Sequence, residues 1–576
     1  MCLNYKLFIL IQFMDITEYF NLPIDTISNK VTVDKNIITD LELIEDNEDG
    51  QNILSYIFNP TNDFSKITQN MWCKYQTTDI KFLKQSQNLY KTFKITSLMN
   101  NDYLTTIYDK YTSYKTDTGF KEKYGFMDWS HLEFLNNWEY FLLIFAVIHI
   151  LSPIFSLILP IIFLLFPYII LLIQGHPITI DVYIRVLTDM FRNTSLVRLV
   201  TGDFSDFKQA SYFVMTILMY GFQIYSNILT CIRFHYNLSK LHVFMGEMTD
   251  YIERTTKNMD IYWNYVSDLD TYANFRTNLD KHNSVLKRYL FKINKIQSYS
   301  WNFTELFNLG YIQKNFYSIY NDDELHSSLM YSFGFHGYID NIVGIQKNIK
   351  EKNINFCTFN KKKNTKFTKA YFCNNQKPVK NTYELNKKYI ITGPNASGKT
   401  TLLKTSLLNI VISQQIGCGF YKKANINPYK YIHCYLNIPD TTGRDSLFQA
   451  EARRCKEIIE VTKNNKERHF CIFDELYSGT NPYEAEASSH SFINYLSQLN
   501  NVDFMMTTHL IKLCENIDKK SKIINYNMKT IPINKYDFKY TYLLKKGISK
   551  IKGAVKVLKE LDYPPDIIDA TLEYLK

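Results

Sequence analysis

The sequence predicts an α/β fold with a parallel sheet in its C-terminal third, an all-α region before it, and a membrane-spanning segment before the helices. Three observations carry this. Tyr389-Ile-Ile391 reads as a short strand and runs into the loop Gly393-Pro-Asn-Ala-Ser-Gly398-Lys399-Thr400, after which the pattern turns helical. The stretch from Tyr140 to Gln174 contains no charged residue. Between these two segments apolar residues recur at helical spacing.

A chain of 576 residues with 46% hydrophobic content is too long for one domain and too apolar for wholesale disorder. A formal charge of +10 is mild at this length; it permits contact with phosphates or anionic lipid and requires neither. The ten cysteines are scattered and form no C-x-x-C pair. That argues against a zinc ribbon or a disulfide framework and fits reduced thiols in a cytosol-like compartment. Met1 to Phe13 is apolar, with Lys6 its one basic residue and no small-residue cleavage site, so a signal peptide is not expected; Met14 is an alternative start.

Four segments follow in order. Residues 1–139 carry no chemical motif; within them the acidic stretch Asp34 to Gly50 reads as a solvated loop or helix face. Residues 140–232 read as membrane-embedded. About 35 uncharged residues from Tyr140 make one long kinked span or a tight hairpin of two, and Pro153, Pro160 and Pro167 favour breaks or kinks. A second uncharged run, Ser211 to Ile232, holds Gln223, Ser226 and Asn227 and reads either as a span or as a core helix. As a span it pairs with the first run across a loop containing Arg185, Arg192 and Arg198. Residues 233–374 read as long amphipathic, lever-like helices, from the spacing of Leu238, Leu241, Met245, Met248 and Ile252 and then Met259, Tyr262, Val266 and Leu269. Within them 351–366, ending near Lys361, Lys362 and Lys363, reads as a polar linker. Residues 375–576 hold the chemistry.

A phosphate-binding loop needs a strand before it and a helix after it, and both are present. Gly393 and Gly398 let the backbone turn so that successive N–H groups, those of Asn395, Ala396 and Ser397 through to Thr401, line a phosphate cradle, with Pro394 contributing only its fixed φ. The helix starting near Lys399 adds its positive end. Lys399 is expected to reach the β and γ phosphates of ATP, and the Thr400 hydroxyl to ligate Mg²⁺. His469-Phe-Cys-Ile-Phe-Asp474-Glu475 is an apolar strand ending in two carboxylates. Asp474 is assigned to the Mg²⁺ shell and Glu475 to polarising the attacking water. A further strand, Val502 to Thr507, ends at Thr508-His509, whose ring is placed to contact the γ-phosphate or order the water.

These residues also carry a family resemblance. Thr392 to Thr400 resembles the TGPN-x-x-GK-[ST] loop of MutS proteins, Gln415-Ile-Gly-Cys418 the segment after their first helix, and Ser446-Leu-Phe-Gln-Ala-Glu451 their S-x-F-x-x-E signature. Asp474-Glu-Leu-Tyr-Ser-Gly-Thr480 resembles DEL-x-x-GT, Thr507-Thr-His509 the terminal T-H, and Val379-Lys-Asn381 the V-x-N that precedes the loop. Lys546 to Ser549 and Leu561 to Ala570 resemble the closing helix-turn-helix. The resemblance implies a P-loop ATPase fold of the ABC class, ATP and Mg²⁺ as cofactors, and a homodimer or MutS-like heterodimer. It places Asn381 near the adenine and Ser446 on the γ-phosphate held by the opposing subunit. It implies DNA binding, with mismatch repair or a related DNA process as the function. The alternative is a membrane-remodelling or transport-linked ATPase that shares the engine. Ala396-Ser397 and Asn481-Pro482 depart from the usual pattern, and no LSGGQ lies between the phosphate motifs. The Phe-x-Glu triplets at Phe120, Phe303 and Phe473 occur at about the chance rate, so no mismatch wedge is read from them.

Overall fold

The computed structural model describes residues 16–45, 51–95, 97–175, 179–190, 207–296, 308–361, 364–374, 377–385, 388–436, 446–517, 523–534, 537–551 and 553–575. Met1, Lys6, Met14, Arg192, Arg198, Phe303, Lys362 and Lys363 lie outside them. The chain divides into two compact units. One comprises Met1–Asn101, Asn258–His282 and Met330–Lys576; the other comprises Asp102–Lys257 and Asn283–Leu329. These boundaries cut across the segments read from the sequence.

In the first unit, β1 (Lys30–Thr32) and β2 (Tyr75–Thr77) pair antiparallel, and α1 (Ile80–Thr92) starts at Asp79, whose carboxylate caps two backbone N–H groups. The acidic stretch is a solvated face only in part: Glu42 and Glu45 are exposed, while other members are held by the fold. Asp34 caps a helix over Lys35–Asp40 and pairs with Arg454 at 2.8 Å, Glu42 pairs with Lys404 at 3.1 Å, and buried Asp40 accepts from Cys434 Sγ at 3.0 Å. The cationic partners lie more than 350 positions away in the chain, so no local pattern reveals them. Asp46 to Gly50 falls outside the described residues.

The second unit is helical. α2 (Glu139–Ile173) runs without interruption through all three prolines, so the expected break, and with it the tight hairpin of two short spans, does not occur. Two helical turns take about seven residues, so the three prolines share one face and the missing N–H donors fall along one line. α3 (Phe207–Val266) is one helix of 60 residues whose last turns enter the first unit. The Ser211–Ile232 run is not a core helix, because many of its large apolar side chains are exposed. Phe120 is 1% exposed and stacks on Tyr320 with ring centroids 4.1 Å apart. A ring packed this way is not available to wedge between bases.

Back in the first unit, the helix Asp323–Lys350, which belongs to it from Met330 onward, approaches Phe58 so closely that a Cβ at Gly344 would sit 1.6 Å from the Phe58 carbonyl oxygen. The linker read over 351–366 instead contributes to sheet: β3 (Asn355–Phe359) and β4 (Thr365–Ala370) are strands, the latter alternating buried and exposed residues. Its buried positions include only Thr365, Phe367 and Ala370, too few apolar residues for the period of two to stand out. They join β5 (Asn381–Leu385), β7 (Cys418–Gly419) and β8 (Lys423–Ile426) in a sheet of order β5-β4-β8-β3-β7.

The main sheet contains β6 (Lys388–Thr392), β9 (Tyr431–Tyr435), β10 (His469–Asp474), β11 (Val502–Thr507), β12 (Ile523–Pro532) and β13 (Phe538–Lys546), in the order β13-β12-β6-β11-β10-β9. All neighbours are parallel except β12 and β13. Strands buried on both faces read as continuous apolar runs, which β6, β10 and β11 are. α4 (Lys399–Ile416) follows β6, α5 (Leu447–Asn464) precedes β10, and α6 (Pro482–Gln498) joins β10 to β11. α7 (Ala554–Glu560) and α8 (Pro565–Tyr574) form the expected terminal helix pair.

α4 is buried along nearly its whole length, polar residues included, and those residues are satisfied. Ser406 and Ser413 bond the hydroxyls of Tyr383 (2.8 Å) and Tyr421 (2.9 Å). Asn409 accepts from the Phe420 N–H at 2.7 Å, and Gln414 exchanges two bonds with the Tyr429 backbone. Gln415 donates to the carbonyls of Trp72 (2.7 Å) and Tyr75 (3.2 Å). From the other side Gln87 of α1 donates to Gly417 O at 2.6 Å and to Cys357 O at 2.9 Å.

Candidate nucleotide-binding site

β6, β11 and β10 end level with one another: Asp474 stands opposite Thr507 and Thr507 opposite Ile391. The residues that follow these ends converge on one place. Thr400 Oγ1 donates to Asp474 Oδ2 at 2.7 Å, and Thr507 Oγ1 donates to the other carboxylate oxygen. Lys399 Nζ reaches the carbonyls of Gly393 (3.1 Å) and Pro394 (3.3 Å), stands 2.9 Å from His509 Nε2, and lies 4.0 Å from Glu475. His509 Nε2 is also 3.0 Å from Glu475 Oε1.

Burial holds the Lys399 ammonium below the ordinary lysine range, against the pull of Glu475 and Asp474. The hydrogen bond from His509, more than its charge or that of Lys399, keeps the Glu475 carboxyl below its usual value. Glu475 and Tyr477 have φ of 53° and 58°. Left-handed backbone at non-glycine residues costs about 1–2 kcal/mol each and persists where surrounding structure enforces it.

The loop has the local conformation its sequence asks for. Gly398 has φ 90°, and a Cβ on Gly393 would lie 2.8 Å from Ser397 Oγ. Ala396, one of the departures noted above, is itself left-handed at φ 58°. Ser397 is 2% exposed and its hydroxyl has no partner. An unsatisfied buried hydroxyl inside a loop of backbone donors, ahead of an 18-residue helix, fits a phosphate acceptor.

Beside the loop lies a cavity of about 570 Å³. Asn395 to Leu402, Thr405 and Glu475 line one part; Ala370, Phe372, Lys377, Pro378, Val379, Asn381, Met528 and Tyr542 line the rest. A polar phosphate end and an apolar, aromatic end are the two halves a purine nucleotide needs. Asn381 lies in this wall, with both ends of its amide engaged by β13: it donates to Tyr542 O at 3.0 Å and accepts from the Leu544 N–H at 2.9 Å. Ser446 is not among the lining residues. It caps α5, accepting from the Gln449 N–H at 3.3 Å, while Gln449 Oε1 accepts from the Ser446 N–H at 2.9 Å.

Residues 389–576 match the family model of MutS domain V. The match takes in the phosphate loop, both carboxylates, His509, Ser446 and the terminal helix pair. Over 215 residues the chain is 30% identical to the endonuclease MutS2 of Fusobacterium nucleatum, covering 35% of this chain and 26% of that protein. The endonuclease MutS2 of Staphylococcus aureus is 28% identical over 222 residues (37% and 29%), and the DNA mismatch repair protein MutS of Persephonella marina 27% over 210 (36% and 23%). The chain thus spans about a quarter of the length of these curated relatives. The likeness rests on the domain V region.

Three contributors to the site were not singled out from the sequence. Glu451, 2% exposed, accepts from Ser478 N (3.0 Å), Ser478 Oγ (2.9 Å) and Gly479 N (3.2 Å), so α5 grips the loop that follows Glu475. Gly479 allows that approach, since a Cβ there would lie 2.7 Å from Leu447 Cγ. Thr507 orients Asp474. The motif around Glu451 was visible, but nothing local showed which backbone it would hold. Asn481, a departure from the family pattern, caps α6 by accepting from the N–H groups of Tyr483 and Glu484, with Pro482 at the first helical position.

Proposed function

We propose that this chain is a MutS-like ATPase that binds ATP with Mg²⁺ in the cavity beside the phosphate loop and hydrolyses it. The observation that carries the reading is the convergence of Lys399, Thr400, Asp474, Glu475 and His509 at the end of three neighbouring strands. Thr400 and Asp474 would hold Mg²⁺, whose charge offsets that of the phosphate oxygens when bound. The loop N–H groups and Ser397 orient the phosphates, and Lys399 neutralises charge on the β and γ groups. Glu475 accepts a proton from the attacking water, with His509 fixing the position of its carboxylate. The cycle is coupled to rearrangement of a homodimer or MutS-like heterodimer through Ser446, and its DNA role is processing of the kind named in the relatives. No residue is assigned to mismatch discrimination: Phe120 is buried, Phe473 lies within β10, and Phe303 lies outside the described residues.

A second reading, a membrane-linked ATPase sharing the same engine, draws on the exposed apolar flanks of α2 and α3. ATP turnover by the detergent-purified full chain, measured alone, with duplex DNA and with phospholipid vesicles, tests both. Stimulation by DNA is expected; stimulation by vesicles alone moves the function to the second reading, and no Mg²⁺-dependent turnover under any condition overturns the ATPase itself.

A further inference from the structure

We propose that α2 and α3 cross a lipid bilayer together as an antiparallel two-span hairpin, with both chain ends on the side that carries the ATPase residues. The membrane reading is shared with the preceding section; the hairpin, its register and its direction go beyond it.

The pair is polar inside and apolar outside. Tyr220 donates its hydroxyl to Ser156 O at 2.5 Å, Asn227 Nδ2 donates to Ser156 Oγ, and Cys231 Sγ lies 3.3 Å from Ile150 O. His149 stacks on Phe234 with centroids 5.2 Å apart. Rising numbers on α2 meet falling numbers on α3, which sets the helices antiparallel. Outward stand Ile154, Leu157 and Ile161 on one helix and Val214, Leu218 and Phe222 on the other, each at least half exposed. In a hydrocarbon solvent this is the stable arrangement: small and polar groups seal the helix contact and large apolar groups face out.

A bilayer, rather than a protein partner, fits the dimensions. The uncharged run of α3 from Ser211 to Ile232 takes about 22 residues, ~33 Å of helix, against a hydrocarbon core of ~30 Å. By the register above, it faces roughly residues 148–169 of α2, which are also uncharged. Trp138 and Tyr140, both exposed, precede that stretch by two to three helical turns, on the side of an interfacial aromatic belt. A protein partner covers a stripe; here successive residues Ile154, Phe155, Leu157, Ile158 and Leu159 are exposed around α2.

Charge does not set the direction. Arg185, Arg192 and Arg198 in the connector, with Lys208 at the start of α3, are matched by Lys121, Lys123, Arg233 and Lys240 at the open ends. The need of the phosphate loop for ATP sets it, and this part of the proposal rests on the ATPase reading. The connector then lies across the membrane.

The sequence contains its own reporters. Asn193-Thr-Ser195 in the connector and Asn302-Phe-Thr304 beyond α3 are N-glycosylation acceptors, and both lie outside the described residues. The full chain is translated with endoplasmic-reticulum microsomes, its glycosylation and alkaline-carbonate extraction are scored, and its ATP turnover is measured after detergent extraction. The expected result is a carbonate-resistant chain carrying one glycan, lost in both Asn193→Gln and Ser195→Ala. Release by carbonate, or no glycan at Asn193 and none at Asn302, overturns the two-span hairpin. A glycan at Asn302 and none at Asn193 overturns the direction while leaving two spans. Turnover, read separately, reports on the ATPase assignment whichever pattern is found.

Discussion

His509 Nε2 lies 3.0 Å from Glu475 Oε1. The same nitrogen lies 2.9 Å from Lys399 Nζ, and one ring nitrogen either donates or accepts, so it serves one of these neighbours at a time. A γ-phosphate that draws Lys399 to itself leaves His509 to Glu475. Lys399→Ala is therefore expected to lose ATP affinity. Glu475→Gln is expected to retain ATP affinity within a few-fold while turnover falls about 10²–10⁴-fold. Fluorescent-nucleotide titration and phosphate release measure the two effects, and wild-type turnover in Glu475→Gln would remove that carboxylate from the mechanism.

Glu451 predicts a different split. Replacing it with Ala leaves Ser478 and Gly479 donors without their acceptor, and bonds to a charged group contribute about 1.5–3 kcal/mol each. The loop that presents Glu475 is then loosened while the phosphate loop is untouched. Turnover is expected to fall at least tenfold with ATP affinity nearly unchanged, and Glu451→Gln, which keeps one acceptor oxygen, to recover part of it. Equal loss of affinity and turnover would show that Glu451 supports the fold as a whole.

How much of this was legible follows from the range of the interactions. The phosphate loop, Asp474-Glu475 and Thr508-His509 are contiguous and their strand–loop–helix context is local, so sequence placed all of them at one sheet edge. β3 and β4 were missed because two short strands with few apolar residues look like a linker until the sheet partners are known. The acidic stretch at Asp34 was misread for the same reason: Arg454 and Lys404, which hold it, are far along the chain. The prolines of α2 are over-weighted in the sequence reading: their seven-residue spacing, which sets them on one face, is local, but the neighbouring helix is not.

Ser446 tests assembly. Its place at the start of α5, away from the cavity lining, suits a contact made across a dimer. Mixing Ser446→Ala with Lys399→Ala protein is expected to restore part of the turnover that each lacks alone, because the mixed dimer holds one composite site with both groups intact. Mixed dimers with no recovery would place the whole site within one chain.

Gly344 tests packing. A Cβ 1.6 Å from Phe58 O forces the helix and its neighbour apart, and overpacking costs about 1–3 kcal/mol, at times more. Gly344→Ala is expected to lower the midpoint of thermal unfolding by several degrees, while Gly246→Ala, a helix-interior position where a Cβ meets nothing within 4 Å, does not lower it. Equal midpoints would mean that the close approach at Phe58 is relieved without cost.

For DNA, affinity is expected to fall steeply with salt, as Lys and Arg contacts to phosphates require, and to differ by no more than a few-fold between matched and mismatched duplexes. A tenfold preference, about 1.4 kcal/mol, would demand a reading element other than Phe120.

The hydrogen bonds of α4 have one more consequence. From Ser406 to Gln415 its polar side chains are tied to the hydroxyls of Tyr383 and Tyr421, to Phe420 and Tyr429, and to Trp72 and Tyr75. Sliding this helix by even one residue would break all of these bonds together, with no water at hand to replace them. The phosphate loop is thus mounted on a stator. On the proposed ATPase reading, work extracted from ATP leaves through the other wall of the site, where α5 and the loop after Glu475 are joined by three bonds to a single carboxylate.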